Sequence, residues 1–296
     1  MIAQGADGTR MAEVHVSLPE SEPPDVLGLL VPLPPDTSHQ TFRSIHFSRG
    51  WRTTEVKACD GSQRALYAHQ VPAAGELRYS IALVEQAAHL DQFTPRLNRF
   101  TAAPPALTQL VEDVIAGAHD TAEVVRRVVE LTARRFRYGP RSPHETPTLC
   151  CDVMIGNCID INTFFVAALR TANVPCAYHA GYWFQHGQPI ADGMHCWVTT
   201  LEDGQLRSWD IAHHLQRGIA AVEPGLNPVA GVRVTMSCGR GLRFVVGDLE
   251  VELSHLAQPR WIHRSGATSR ALVRAELQHK ITQTSLSPQL EEWSQS

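Results

Sequence analysis

The stretch from residue 156 to residue 211 constrains the fold more than any other part of this chain, because it predicts four consecutive elements. Its first part has apolar residues at i, i+3, i+4, i+7 and i+8, which is the pattern of one buried helix face. These residues are Ile161, Phe164, Phe165, Ala168 and Leu169. Strand-like runs follow at 175–184, 195–200 and 206–211, separated by turn residues. We therefore expect an α+β arrangement in which a helix packs on an antiparallel sheet.

A cysteine, a histidine and an aspartate lie on three of these predicted elements. Cys158 falls in the first turn of the helix, directly after Asn157, a residue that caps helices well. The unpaired amides and the helix dipole at that position favour an anion, which lowers the pKa of a thiol. His195 opens the second strand and Asp210 lies near the end of the third. The three residues predict a triad with Cys158 as nucleophile, His195 as general base and acid, and Asp210 orienting the imidazole.

Four further residues are candidates for the oxyanion site or for the pocket around Cys158. They are Asn157, Tyr182, Trp183 and Trp197. The backbone amide of Cys158 is the expected oxyanion donor, and the sequence does not identify the second one. Each candidate also has a simpler role, since Asn157 can act only as a helix cap and the aromatic residues can simply pack in a core.

A zinc site is the competing interpretation for part of the cysteines. Cys150, Cys151, Cys158 and His144 offer the thiolate and imidazole ligands that zinc prefers. The sequence has no Cys-x-x-Cys pair, and adjacent cysteines rarely chelate one metal. We therefore expect neither a metal nor a cofactor.

Six short motifs occur in a fixed order between residues 156 and 210. They are Gly156-Asn157-Cys158, Ala167-Ala168-Leu169-Arg170, Val174-Pro175, Gly181-Tyr182, His195-Cys196-Trp197 and Trp209-Asp210. This set resembles the transglutaminase-like superfamily of papain-like thiol enzymes, over roughly residues 136–213. One departure is Asn173, where the family usually has glycine, but asparagine tolerates the left-handed conformation that a helix end needs.

The resemblance implies a papain-like/transglutaminase-core fold, in which the helix that bears the nucleophilic cysteine packs on an antiparallel sheet. It also implies acyl transfer through a covalent acyl-enzyme. The superfamily includes protein crosslinkers, peptidases, deglycosylating enzymes and amide-forming biosynthetic enzymes. Since the sequence has no evident calcium loop, we do not expect a calcium-dependent crosslinker.

The composition of the chain indicates which partners are not expected and in which compartment the protein resides. The chain has 296 residues, 43% hydrophobic and 19% charged, which is ordinary for a globular protein. A net charge of −4 gives no electrostatic reason to expect nucleic acid or an anionic membrane as partner. The first residues lack the pattern of a secretory signal, and the seven cysteines are an odd number. These features predict reduced thiols and a cytoplasmic protein.

The order of patterns predicts a β-rich N-terminal region at 1–100, a catalytic core at 101–284 and a flexible tail at 285–296. Within the core we expect helices at 107–118 and 120–136 before the nucleophile. A terminal helix is expected at 268–282, where apolar residues recur. We also expect His213 and His214 to be exposed to solvent.

The sequence thus predicts a cysteine-dependent enzyme that attacks an amide, peptide or thioester carbonyl, with hydrolysis as the favoured outcome. The expected partners are a peptide, a protein or a small acyl or amine substrate. Two alternatives stay open. The chain can be an amide-forming acyltransferase of small-molecule biosynthesis, or a catalytically silent binding module.

Overall fold

The computed structural model describes residues 10–18, 23, 25–72, 74–84, 89–191 and 193–280. It has four α-helices in these residues: α1 (Pro105–Ile115), α2 (Thr121–Arg135), α3 (Cys158–Thr171) and α4 (Ile211–Gln216). None of them is long and apolar enough to cross a membrane. The predicted tail at 285–296 lies outside the described residues.

The strands of the described residues fall into three larger sheets and two short pairs. In chain order they are β1 (Arg10–Ser17), β2 (Val26–Pro32), β3 (Gln40–Phe47), β4 (Arg52–Lys57), β5 (Arg64–Gln70), β6 (Glu76–Leu83), β7 (Phe136–Tyr138), β8 (Met154–Gly156), β9 (Cys176–Gln185), β10 (Met194–Glu202), β11 (Gln205–Trp209), β12 (Gly231–Cys238), β13 (Leu242–Val246), β14 (Leu249–Leu253), β15 (Arg260–His263), β16 (Thr268–Arg270) and β17 (Arg274–Lys280). The predicted α+β class is confirmed.

The sheet that positions the candidate site has the strand order β11-β10-β9-β12, and all of its pairs are antiparallel. It contains the three strands that were predicted after the helix. Helix α3 packs on this sheet through buried apolar side chains, and α1 and α2 pack beside it in the same core. The carboxylate of Asp120 caps α2 by accepting a hydrogen bond from the Glu123 amide at 2.7 Å. The two helices predicted before the nucleophile are therefore present as α1 and α2.

The N-terminal region is β-rich, as predicted, but its sheets also contain strands from the C-terminal end of the described chain. One sheet has the order β17-β1-β6-β3 and the other β16-β15-β2-β5-β4. The boundary drawn between 1–100 and 101–284 stays a prediction. The strand pairing adds that β15, β16 and β17 complete the sheets of the N-terminal region.

The predicted terminal helix at 268–282 is wrong for the part of it that the structure describes. Residues 268–270 and 274–280 are strands β16 and β17. Ala275 and Leu277 are both buried and face Val16 and Val14 across the ladder between β17 and β1. Their spacing of two residues is a strand period, and the partner strand that fixes it lies at the other end of the chain.

Candidate active site

Cys158 is the first residue of α3, and two side chains fix the start of that helix. Asn157 accepts a hydrogen bond from the Ile159 amide at 2.9 Å through Oδ1, so it acts as a helix cap. Asp160 accepts hydrogen bonds through Oδ2 from the Asn157 amide at 3.0 Å and from the Ser142 amide at 2.9 Å. The Cys158 amide is one of the N-terminal amides that a helix leaves unpaired along its own axis. It is therefore available to donate a hydrogen bond to an anion.

The two motif glycines occupy positions where a larger residue does not fit. A Cβ at Gly156 would lie 2.7 Å from the Asp160 Cβ. A Cβ at Gly181 would lie 1.9 Å from the carbonyl oxygen of Val234, because β9 and β12 are closely paired at that point. The Asp160 side chain therefore excludes a larger residue at Gly156, and the close approach of the β12 backbone excludes one at Gly181.

The sheet brings His195 and Asp210 together, and the helix brings Cys158 to the same place. His195 lies on β10, and Asp210 follows β11, which is hydrogen-bonded to β10. His195 Nε2 lies 2.9 Å from Asp210 Oδ2. The imidazole also interacts with the Cys158 sulfur, since each of the two groups shifts the pKa of the other. Because Asp210 binds Nε2, Nδ1 is the ring nitrogen that remains for the sulfur.

The surroundings of the three residues favour their charged forms. A hydrogen bond from the Cys196 thiol lowers the pKa of Cys158 well below its usual value, and the nearby His195 adds to this although burial opposes it. Burial lowers the pKa of His195, but the charge and hydrogen bond of Asp210 and the contact with Cys158 raise it to about 9. Burial raises the pKa of Asp210, yet the charge of His195 and hydrogen bonds hold it well below its usual range. The favoured state at neutral pH is a thiolate, an imidazolium and a carboxylate.

Asp210 is fully buried, and several donors surround its carboxylate. Asn227 Nδ2 donates to Oδ2 at 2.8 Å, and Arg233 donates to the same oxygen at 2.9 Å. The Arg233 guanidinium lies 5.6 Å from the ring centroids of both Trp183 and Trp197. A buried carboxylate needs such partners, because an unpaired charge away from water is costly.

The expectation that His213 and His214 are exposed is wrong. Both are buried on α4, whose first residue follows Asp210. The His213 ring lies parallel to the His195 ring, at a centroid distance of 3.9 Å and an angle of 7°. His213 Nδ1 also lies 3.1 Å from Asp210 Oδ2, so one carboxylate contacts both imidazoles. Because the Asp210 carboxylate also caps α4, this helix begins at the site and His213 lies beside His195.

The three aromatic candidates divide into two groups. Trp183 and Trp197 lie beside the triad, each with its ring centroid 6.2 Å from that of His195. Tyr182 lies elsewhere, buried with Phe184 in an apolar cluster between the sheets. The structure therefore removes Tyr182 from the residues around Cys158, because its side chain points into the core.

Two residues next to the triad, Cys196 and Asn162, could hardly be recognised as part of the site from the sequence. The Cys196 sulfur lies 3.5 Å from the Cys158 sulfur. Asn162 is fully buried, and its Nδ2 donates to the carbonyl oxygens of Cys158 and Cys196, both at 2.9 Å. This amide ties the helix of the nucleophile to the strand of the histidine. A polar residue on an otherwise apolar helix face, four positions after the cysteine, was the available clue.

The residues of the disfavoured zinc site do not gather around Cys158. His144, Cys150 and Cys151 line a cavity of about 280 Å³, whose lining does not include Cys158. The ligand atoms of His195, Asp210 and His213 do lie within 4.8 Å of one another. The two imidazoles are stacked face to face, however, so their lone pairs do not converge on one point. A metal between these three residues would also have to displace the donors already on Asp210.

The arrangement defines a class of protein: an α+β fold in which a thiol at a helix start meets an imidazole and a carboxylate held by a sheet. Residues 108–209 match the family model described as "Transglutaminase-like superfamily". The resemblance stated from the motifs is thus confirmed, and this segment of the chain is a transglutaminase-like core.

A solved structure described as a "Putative Cysteine Protease from Cytophaga hutchinsonii" covers 97% of this chain and 95% of its own, with a TM-score of 0.58 and 13% identity. It shows that the fold is shared over nearly the whole length. A second structure, described as a "putative protease" from Parabacteroides distasonis, covers 73% of this chain and 49% of its own, at 11% identity and a TM-score of 0.34. No curated protein matches the chain.

Proposed function

We propose that this chain is a cysteine-dependent hydrolase that cleaves an amide, peptide or thioester bond through an acyl-enzyme. The observation that carries the proposal is that His195 hydrogen-bonds Asp210 and interacts with the Cys158 sulfur strongly enough for each group to shift the pKa of the other. Family membership alone supports only a transglutaminase-like enzyme. The interaction of these three residues adds the reacting groups and their order.

The mechanism follows from the favoured charge state. The Cys158 thiolate attacks the carbonyl carbon, and the oxyanion that forms accepts a hydrogen bond from the Cys158 amide. The His195 imidazolium then gives its proton to the leaving group, and the carbonyl reforms as a thioester. Neutral His195 next removes a proton from water, the water attacks the thioester, and the acid product leaves. Asp210 stabilises the imidazolium in each half of the cycle.

Tyr138 is the candidate for the second oxyanion donor. It is the last residue of β7 and pairs with Gly156 in the parallel ladder between β7 and β8. Gly156 is two residues before Cys158, so Tyr138 lies beside the segment that leads into α3. Its side chain is partly exposed, and its pKa is raised by burial and by the negative charges of Cys158 and Asp210. A protonated phenol there can donate to an oxyanion. If it does, Tyr138→Phe slows acyl-enzyme formation by about 10²-fold and leaves alkylation of Cys158 unchanged.

Selective alkylation tests the charge state of the nucleophile. At pH 7 we expect iodoacetamide to label Cys158 first among the seven cysteines, because the Cys196 thiol and His195 stabilise its thiolate. We also expect the anionic reagent iodoacetate to react with Cys158 faster than iodoacetamide does, because the imidazolium attracts it. Its advantage over iodoacetamide should disappear as the pH rises through about 9, where His195 loses its proton. Uniform labelling of the exposed Cys59, Cys150 and Cys151 together with Cys158 would contradict the assignment.

Trapping of the acyl-enzyme tests the reaction. The wild-type protein is incubated with a mixed library of peptides and thioesters, and its intact mass is recorded before and after addition of a primary amine. We expect an adduct on Cys158 that water removes, no adduct on Cys158→Ala, and an unchanged adduct on Cys176→Ser, which alters a buried thiol elsewhere. An amide product formed from the amine would favour the amide-forming enzyme. A folded protein with an unreactive Cys158 would favour the binding module.

A further inference from the structure

Two thiols face each other at the candidate active site, and the proposed reaction uses only Cys158 as a nucleophile. The sulfurs of Cys158 and Cys196 are 3.5 Å apart, and both side chains are buried, with 6% of Cys158 exposed. The backbones of both residues are held at a fixed spacing by Asn162, which donates to both carbonyl oxygens. A disulfide bond has a length of about 2.05 Å. The sulfurs therefore have to approach by roughly 1.5 Å for the bond to form.

We propose that Cys196 is a resolving thiol, which closes a disulfide with Cys158 after a peroxide has oxidised the nucleophile. The inference rests on the proposed function, because it needs the same reactive Cys158 sulfur. In the hydrolytic cycle Cys196 only donates a hydrogen bond to Cys158, and its sulfur forms no covalent bond. Its placement gives the oxidised nucleophile a partner before a second peroxide arrives.

The chemistry balances in two steps. The Cys158 thiolate attacks one oxygen of hydrogen peroxide, the O–O bond breaks, hydroxide leaves, and Cys158 becomes a sulfenic acid. The Cys196 sulfur then attacks the Cys158 sulfur, and the S–O bond breaks. The hydroxyl group leaves with the Cys196 proton as water. Two electrons pass from the two thiols to the peroxide, and the product is a disulfide that a dithiol reductant reopens.

Other cysteine pairs in the described residues are weaker candidates. Cys150 and Cys151 also have their sulfurs 3.5 Å apart, but they are exposed and neighbours in sequence. The hydrogen bond between Cys151 and Cys150 raises the pKa of Cys151, which makes its sulfur a poor first target for peroxide. Burial raises the pKa of Cys176 to about 11, with the same consequence. Cys158 alone combines a stabilised thiolate with a thiol neighbour.

The sequence allows an unambiguous map of the bond. Cleavage before aspartate releases residues 152–159, in which Cys158 is the only cysteine, and residues 192–202, in which Cys196 is the only one. Cys150 and Cys151 stay together in residues 120–151. The full-length protein is treated with hydrogen peroxide, its free thiols are blocked with iodoacetamide, and the digest is analysed by mass spectrometry without reduction.

In wild type and in the matched control Cys176→Ser, we expect peptides 152–159 and 192–202 joined by a disulfide, with Cys158 recovered by dithiothreitol. In Cys196→Ser we expect no joined peptide, and Cys158 should carry two or three added oxygens that dithiothreitol does not remove. The wild-type map decides the question even if Cys196→Ser fails to fold.

The outcomes separate this inference from the proposed function. If Cys158 of the untreated protein does not react with iodoacetamide at pH 7, the proposed function and the resolving role of Cys196 are both refuted. In a different outcome, Cys158 reacts with iodoacetamide while peroxide adds two oxygens to it equally in wild type and in Cys196→Ser, with no joined peptide. That result would refute only the resolving role of Cys196. A disulfide confined to residues 120–151 would likewise overturn it, since the oxidised pair would then be Cys150 and Cys151.

Discussion

Asp210→Asn tests the electrostatic reasoning most directly, because it removes one charge and almost no volume. Burial lowers the pKa of His195, but the carboxylate and the Cys158 sulfur together raise it from a usual 6.5 to about 9. This difference corresponds to about 3 kcal/mol in favour of the imidazolium, at ~1.4 kcal/mol per pH unit. Without the charge of Asp210, only Cys158 opposes burial, and the pKa of His195 is expected to fall towards or below 6.5. The imidazole is then neutral at pH 7, and the Cys158 thiolate loses its counter-ion.

The expected result is a loss of between about tenfold and a hundredfold in the rate at which iodoacetamide alkylates Cys158 at pH 7, since ~1.4 kcal/mol is a factor of ten. The midpoint of the rate against pH should also move to higher pH. The assay is peptide-resolved labelling between pH 5 and pH 10. Glu112→Gln, which neutralises an exposed carboxylate on α1, is the matched control and should leave the profile unchanged. A folded Asp210→Asn protein whose Cys158 is alkylated within twofold of the wild-type rate at pH 7 would refute the reasoning.

Three further predictions concern stability, and urea unfolding followed by tryptophan fluorescence measures each one. Arg233→Met leaves a buried carboxylate short of a partner and should lower the free energy of unfolding by about 3 kcal/mol, whereas Arg243→Met, which breaks an exposed pair, should cost less than about 1 kcal/mol. Equal losses of stability in Arg233→Met and Arg243→Met would contradict the argument that burial makes the Asp210 pair more important than an exposed pair. Asn162→Leu removes two buried hydrogen bonds and should cost about 2 kcal/mol, and a cost near zero would contradict the bridging role. Gly181→Ala forces a methyl group into the Val234 carbonyl oxygen, so a loss of about 3 kcal/mol is expected, and a wild-type transition midpoint would show that the strands can separate there.

The sequence predicted the local features of the site well, because they depend on short spacings. The helix start at Cys158, its Asn157 cap and the strand that carries His195 all follow from residues within about ten positions of one another. The third strand was predicted at 206–211, but β11 ends at Trp209, and Asp210 caps α4 instead of lying on the strand. The same reasoning predicted the class of the fold and the family. The roles of the three residues in catalysis stay a prediction until they are tested.

The parts that the sequence did not predict depend on distant partners. Arg233 reaches Asp210 from β12, 23 positions further along the chain, and nothing in its own neighbourhood marks it as a ligand of that carboxylate. His213 looked like a surface residue because two adjacent histidines are polar, yet the cap at Asp210 turns it inward. The strand at 274–280 had apolar residues that also suited a short helix. Only its pairing with β1 decides between the two.

The pairing of β1 with β17 also affects how the protein is made. Met11 lies opposite Lys280, so 269 positions separate partners in one ladder. A ribosome that adds about 5–20 residues per second needs roughly 10 to 50 s to supply the second partner after the first. During that interval β1 has one open edge, and β2 likewise lacks β15. The nascent chain therefore carries unpaired strand edges for most of its synthesis, and such edges can pair with other chains until β15 and β17 are made.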